Sequence, residues 1–116
     1  GVRRPLIAYN VFLDSADMAI AKKIAGEIRR PGLRTLAFFV NGRAQISMNI
    51  VDAERISVFD AFEAVRTASL GHGITTQRCE LVGLLTDRHL RMNDESLWAE
   101  LDLSTDKTVE FRNQMT

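Results

Sequence analysis

The chain has 116 residues, 46% of them hydrophobic. That is enough for one domain, burying roughly 65% of the surface its unfolded chain exposes. Lys+Arg and Asp+Glu both number 15, so the formal net charge is zero. That balance removes any global pull toward nucleic acid or an anionic membrane and gives no reason to expect either as a partner. The single cysteine, Cys79, excludes an intrachain disulfide and fits a reducing, cytoplasmic setting. No apolar run approaches the ~20 residues that a membrane-spanning helix needs. The opening Gly1-Val2-Arg3-Arg4-Pro5 has no leader-peptide core and runs straight into a strand-like segment. That start reads as a cut at a domain boundary.

Residues 6–13 alternate, with Ile7, Tyr9, Val11 and Leu13 on one face and Leu6, Ala8, Asn10 and Phe12 on the other. Period two predicts a strand. Asp14-Ser15 offers a helix N-cap, and Asp17 favours the positive end of the helix dipole. Met18, Ala21, Ile24, Ala25 and Ile28 follow at helical spacing until Pro31-Gly32 stops the helix. Residues 33–40 are apolar and aromatic, hence a second strand. Asn41-Gly42 is a strong hairpin signal, because a type I′ turn needs positive φ at both positions. Residues 43–51 return as a third strand. Ser57 with Asp60 three residues later opens a second helix in the manner of a capping box. Val58, Ala61, Phe62, Val65 and Ala68 form its stripe, and Gly71-His72-Gly73 closes it. Residues 74–85 read as a fourth strand with Gly83 inside it. The polar remainder predicts two short helices, at 94–101 and 105–115.

The order is β-α-β-β-α-β, the split arrangement of ferredoxin-like α+β domains. In that fold a four-stranded antiparallel sheet, ordered 4-1-3-2, carries both helices on one face and leaves the other open. We expect residues 1–85 to form this unit and 86–116 to be a helical extension packed on it.

A two-residue loop at Asn41-Gly42 sets Val40 opposite Arg43, Phe38 opposite Gln45, Leu36 opposite Ser47 and Arg34 opposite Asn49. Thr35, Ala37, Phe39, Ala44, Ile46 and Met48 then pack against the helices. Strand one neighbours strand three, so Asn10 joins Gln45, Ser47 and Asn49 on the open face, edged by Phe12, Leu36 and Phe38. Uncharged amides and a hydroxyl match the donors and acceptors of a planar heterocycle or an amide, and flanking rings stack. The plainer alternative is a solvated sheet or one packed on another chain. Exposed Phe12, Leu36 and Phe38 favour a covered face.

Other candidates carry less. His72, between glycines, reads as a cap or solvated loop residue, and His89 in the polar tail reads the same way. Neither has a partner at metal-ligand spacing, so no metal is expected. Cys79 reads as a buried or half-buried thiol, and Trp98 as an anchor of the tail. Glu80 faces either a ligand nitrogen or a salt bridge to Arg78 or Arg43.

Leu6-Ile7-Ala8-Tyr9-Asn10, Gln45-Ile46-Ser47-Met48-Asn49 and Glu80-Leu81-Val82-Gly83 resemble three landmark strands of the C-terminal subdomain of glutamate formimidoyltransferases. Phe62-Glu63-Ala64-Val65 is similar to that family's second helix, and residues 106–112 to its closing helix. The resemblance spans nearly the whole chain but about half of the family's catalytic unit. It implies two ferredoxin-like subdomains with a folate tunnel between them, and transfer of a formimino group from N-formimino-L-glutamate to tetrahydrofolate in histidine degradation. It also implies Asn10, Gln45, Ser47, Asn49 and Glu80 as wall residues for folate or formiminoglutamate.

The family's catalytic histidine belongs to a His-Thr-Gly-Glu-His-Pro-Arg type segment of the N-terminal subdomain, which this sequence does not contain. No catalytic residue is therefore assigned, and the chain is expected to be inactive alone. Partners implied are an N-terminal formiminotransferase half, or a second copy of the chain, over the open face. The sequence departs from the family where Phe12 replaces an amide, Val51 a hydroxyl and Phe59 a histidine, and at Cys79 and Thr86. Those changes support the alternative of a stand-alone, non-catalytic binding or dimerisation domain derived from the family.

Overall fold

The structure, a computed structural model, describes residues 6–115. Residues 1–5, and with them the expected boundary cut, lie outside the described part. β1 (Ile7–Leu13), β2 (Leu33–Val40), β3 (Arg43–Ile50) and β4 (Thr76–Val82) form one antiparallel sheet in the order β2-β3-β1-β4. α1 (Met18–Ile28) and α2 (Val58–Gly71) complete the βαββαβ order. The ferredoxin-like α+β fold expected from the hydrophobic pattern is the fold observed.

Alternation builds the core. Ile7, Tyr9, Val11 and Leu13 of β1 and Ala44, Ile46, Met48 and Ile50 of β3 are all buried on the helix-covered face. Ala21, Ile24, Ala25 and Ile28 of α1 and Val58, Ala61 and Val65 of α2 meet them. Each large side chain fully withdrawn from water contributes about 1.5–3 kcal/mol. Asn41 (φ 51°) and Gly42 (φ 78°) make the β2–β3 turn, and Val40 pairs with Arg43 as the two-residue loop requires.

Helix ends are capped locally. Asp17, rather than Asp14 or Ser15, caps α1 and accepts from the Ile20 N–H, while Ser15 accepts from the Asp17 N–H one turn earlier. Ser57 and Asp60 form the reciprocal capping box of α2. A second residue serves the same helix end from far along the chain. The Asn93 side-chain oxygen accepts from the Phe59 N–H at 2.8 Å, and its nitrogen donates to the His89 and Leu90 carbonyls.

β4 is shorter than residues 74–85. Gly83, at φ +83°, ends the strand instead of lying within it. Beyond it the chain forms α3 (Asp87–Leu90), 3₁₀ turns at Glu95–Leu97 and Thr105–Lys107, and α4 (Val109–Gln114). The tail is more broken than two helices, because Asp94 and Thr108 cap new short turns. It is nonetheless built into the body. Leu85, Leu90, Leu101 and Leu103 are core residues, and Leu97 and Trp98 pack against them. The Tyr9 hydroxyl donates to the Leu101 carbonyl at 2.7 Å. Asp102 accepts from the Leu81 N–H on the outer edge of β4, and Leu85 bridges to Thr108.

Candidate functional site

The two registers of β1 and the register of β2 with β3 place the open-face residues in transverse rows. One row runs Leu36, Ser47, Asn10, Glu80. On one side of it lies Phe38, Gln45, Phe12, Arg78, and on the other Arg34, Asn49, Ala8, Val82. All five sequence-predicted wall residues therefore share this face, with Asn10 next to both Ser47 and Glu80.

The row is hydrogen-bonded at one end. Asn10 Nδ2 donates to Glu80 Oε1 at 3.0 Å. Among the described residues the Glu80 carboxylate has no salt bridge, so neither Arg78 nor Arg43 is its partner. Arg43 pairs with Asp14 at 2.7 Å, and the Arg78 guanidinium lies over the Phe12 ring at 3.9 Å. That lid corrects the expectation of an exposed Phe12, which is 5% exposed on a central strand flanked on both sides. Gln45, wedged between Phe38 and Phe12, is 7% exposed and offers little of its amide to a ligand. Leu36 and Phe38 stay exposed as expected. Phe39 does not pack inward as expected. It is 59% exposed, because no strand lies beyond the edge to complete the layer around it.

At the β2 end, Arg29, Arg34, Thr35, Leu36, Ser47 and Asn49 line a hollow of about 570 Å³. No acidic side chain lines it. Arg29 donates to the Thr35 carbonyl at 2.8 Å, and Arg34 forms no ion pair among the described residues. The face thus carries guanidinium at the β2 side, neutral Ser47, Asn49 and Asn10 between, and both the Glu80 carboxylate and the Arg78 guanidinium at β4. Three inter-strand spacings, about 14 Å, separate the two outer strands. The donors and acceptors of such a wall match those of a flat polar molecule. The Arg34–Asn49 pairing was readable from the hairpin register. Arg29 carried no sequence signal, since only the fold carries the end of α1 back beside β2.

Proton-transfer groups lie elsewhere. His72 caps α2 and pairs with Glu27 at 2.8 Å. His89 is not solvated, contrary to expectation. It is 4% exposed, between the Thr86 hydroxyl at 2.7 Å and Glu54 at 3.2 Å. Cys79 is half-buried on the helix-covered side, where burial pushes its thiol pKa up and keeps it protonated. Among the described residues no group of three or more His, Cys, Asp or Glu is placed to hold a metal ion. No helix among them is long and apolar enough to cross a membrane.

The fold and this face define a ferredoxin-like α+β domain with one helix-covered sheet face and one open face of mixed polar and apolar side chains. Within that class the chain matches the formiminotransferase domain over residues 8–96, and it belongs to that family. It is 37% identical to the glutamate formimidoyltransferase of Thermoplasma acidophilum over 97 residues, which are 78% of this chain and 32% of the relative. It is 35% identical to the glutamate formimidoyltransferase of Streptococcus pyogenes serotype M1 over 91 residues, 72% of this chain and 30% of that relative. The chain spans about a third of the length of these curated relatives.

Proposed function

We propose that the open sheet face is one wall of a site for tetrahydrofolate and formiminoglutamate, and that the chain works in formimino transfer together with an N-terminal formiminotransferase half. The observation that carries this reading is the Ser47–Asn10–Glu80 row beside the Arg34–Asn49 hollow, on the strands that bear the family landmarks. Glu80 holds the Asn10 amide in one orientation and so fixes which of its atoms faces a ring. Asn10, Ser47 and Asn49 position the heterocycle or amide. Gln45 acts as a packed floor between two rings.

The contribution of this chain is orientation, which converts a bimolecular encounter into a positioned one. The proton is moved by the partner half, since neither histidine reaches this face. On this reading the protein serves histidine degradation in the cytoplasm. Residues 1–85 form the ligand-bearing unit, and 86–116 an extension that rigidifies it.

The test is to mix the chain with a matching N-terminal half and follow formimino transfer to tetrahydrofolate. Transfer well above that of the N-terminal half alone is expected, falling when Asn10→Ala is introduced. No gain over the N-terminal half alone overturns the proposal. The lid of Arg78 on Phe12 favours a second reading, a binding domain that has closed part of its ligand face. Titrating the isolated chain with a reduced folate separates the two, because a closed face gives no saturable signal.

A further inference from the structure

We infer that the outer edge of β2 is a self-pairing surface, on which a second copy of the chain adds its own β2 antiparallel to make a continuous eight-stranded sheet.

The two edges of the sheet are treated differently. β4 is closed by the chain's own tail, through Asp102 on the Leu81 N–H and the Leu85–Thr108 bridge. Among the described residues β2 has no such cover. In a two-residue hairpin the flanking Val40–Arg43 pair is hydrogen-bonded, so Arg34, Leu36 and Phe38 turn their backbone groups toward β3. Thr35, Ala37 and Phe39 turn theirs outward. The Ala44 N–H, opposite Phe39, confirms the phase by donating away from β2 to the Ser15 carbonyl. Thr35 has its carbonyl taken by Arg29. Among the described residues Ala37 and Phe39 are left with free donors and acceptors, on an eight-residue strand that has no Lys or Pro and whose one charged side chain, Arg34, lies near its start. Natural edges are usually blunted by charged side chains, Lys above all, and by Pro.

The register that uses these groups is self-complementary. A two-fold axis at Phe38 sets Ala37 against Phe39 of the second copy and Phe39 against its Ala37, giving four reciprocal backbone hydrogen bonds. Thr35 falls outside the overlap, so Arg29 is undisturbed and limits slippage. On the helix side the exposed Phe39 ring lies over a small Ala37. On the open face Phe38 meets Phe38 across the axis, and Leu36 meets Val40. Leu36, Phe38 and Phe39 are 59%, 46% and 59% exposed in the single chain, and all three gain apolar neighbours. The two copies of Arg34 end about 27 Å apart along the strands, beyond a Debye length at ordinary salt. Pairing at the edge leaves Asn10, Ser47 and Glu80 uncovered, so it does not depend on the ligand reading.

Sedimentation of the whole chain is expected to give twice the chain mass at high concentration. Ala37→Pro removes an outward N–H without touching the β3 ladder, and is expected to give a folded monomer. Phe38→Cys is expected to cross-link under mild oxidation, because facing residues of a non-hydrogen-bonded pair lie within disulfide reach. The parent chain, with Cys79 alone, provides the control. If Ala37→Pro does not fold, the cross-linking result decides. A parent chain that stays monomeric, a folded Ala37→Pro that stays dimeric, or a dimeric Phe38→Cys that does not cross-link overturns the proposal. Protection of the Ala37 and Phe39 amides from exchange only when a separate N-terminal half is added assigns the edge to that partner instead, and also overturns it.

Discussion

The two faces of the sheet use the same four strands and obey opposite rules. On the helix-covered face, Tyr9, Val11, Ile46 and Met48 are 0–1% exposed. One residue along each strand, Asn10, Ser47 and Asn49 face outward and keep side-chain groups that the described protein does not fully satisfy. A pleat of period two therefore separates what holds the molecule together from what it can offer a ligand. A one-residue slip of β3 would exchange the roles and bury its amides. The side-chain face is thus fixed at the start of the strand, by the Asn41-Gly42 turn that locks the register.

Adjacent substitutions in β3 test that separation most directly. Ile46→Ala removes a fully buried side chain and should cost about 2–5 kcal/mol of unfolding free energy by denaturant titration. Ser47→Ala, one position on, should stay within about 0.5 kcal/mol. Comparable losses at both positions would contradict the division. Asn93→Ala should cost about 1–3 kcal/mol, because it strips a donor of α2 of its acceptor and leaves buried groups unpaired. Hydrogen exchange at Phe59 should accelerate in parallel.

Tyr9 sharpens the comparison through pH. Burial first, with the neighbouring Cys79 and Asp102 adding to it, raises the phenol pKa in the folded chain above its ordinary 10.0. The folded state holds that proton more tightly than the unfolded state. Its contribution is therefore complete below about pH 10 and is lost as pH climbs above that. The raised Cys79 thiol acts with the same sign, starting near its ordinary 9.0. Tyr9→Phe should lose about 1 kcal/mol near neutral pH, from the hydroxyl that serves the Leu101 carbonyl. It should also flatten the alkaline fall in stability. An unchanged alkaline slope would place the titrating group elsewhere.

The smallest effect on folding belongs to the open face. Glu80→Gln should change the unfolding free energy by about 0.5 kcal/mol or less, since Asn10, its partner among the described residues, is partly exposed. Reduced-folate binding, measured by titration of the chain with its N-terminal half, should nevertheless weaken several-fold. A Glu80→Gln chain with undiminished binding would remove that carboxylate from the site.

Most of the fold was legible because its signals are local. Alternation placed β1 and β3, the Ser57–Asp60 pair placed α2, and the Asn-Gly turn fixed which residues cross the hairpin. That register also put Ser47 and Asn49 on the open face, where they are observed. What local pattern could not supply was anything closed from a distance. Asn93 reaches back 34 residues to cap α2, and His89 reaches 35 to Glu54. Arg78 hides Phe12 only because β4 lies beside β1. Phe39 looked like a core residue because its phase along the strand was right. Its position at the sheet edge, which phase does not encode, left it exposed.

The Tyr9–Leu101 bond has a practical corollary. The match to the formiminotransferase domain covers residues 8–96. A fragment trimmed there keeps every strand and both long helices, yet it sheds Leu101, Leu103 and Asp102. Its central tyrosine would hold an orphan hydroxyl under a missing roof, and β4 would gain the same bare margin that β2 has. Such a truncation should be prone to clump through either side of its sheet. The mechanical limit of the domain therefore lies beyond the matched segment.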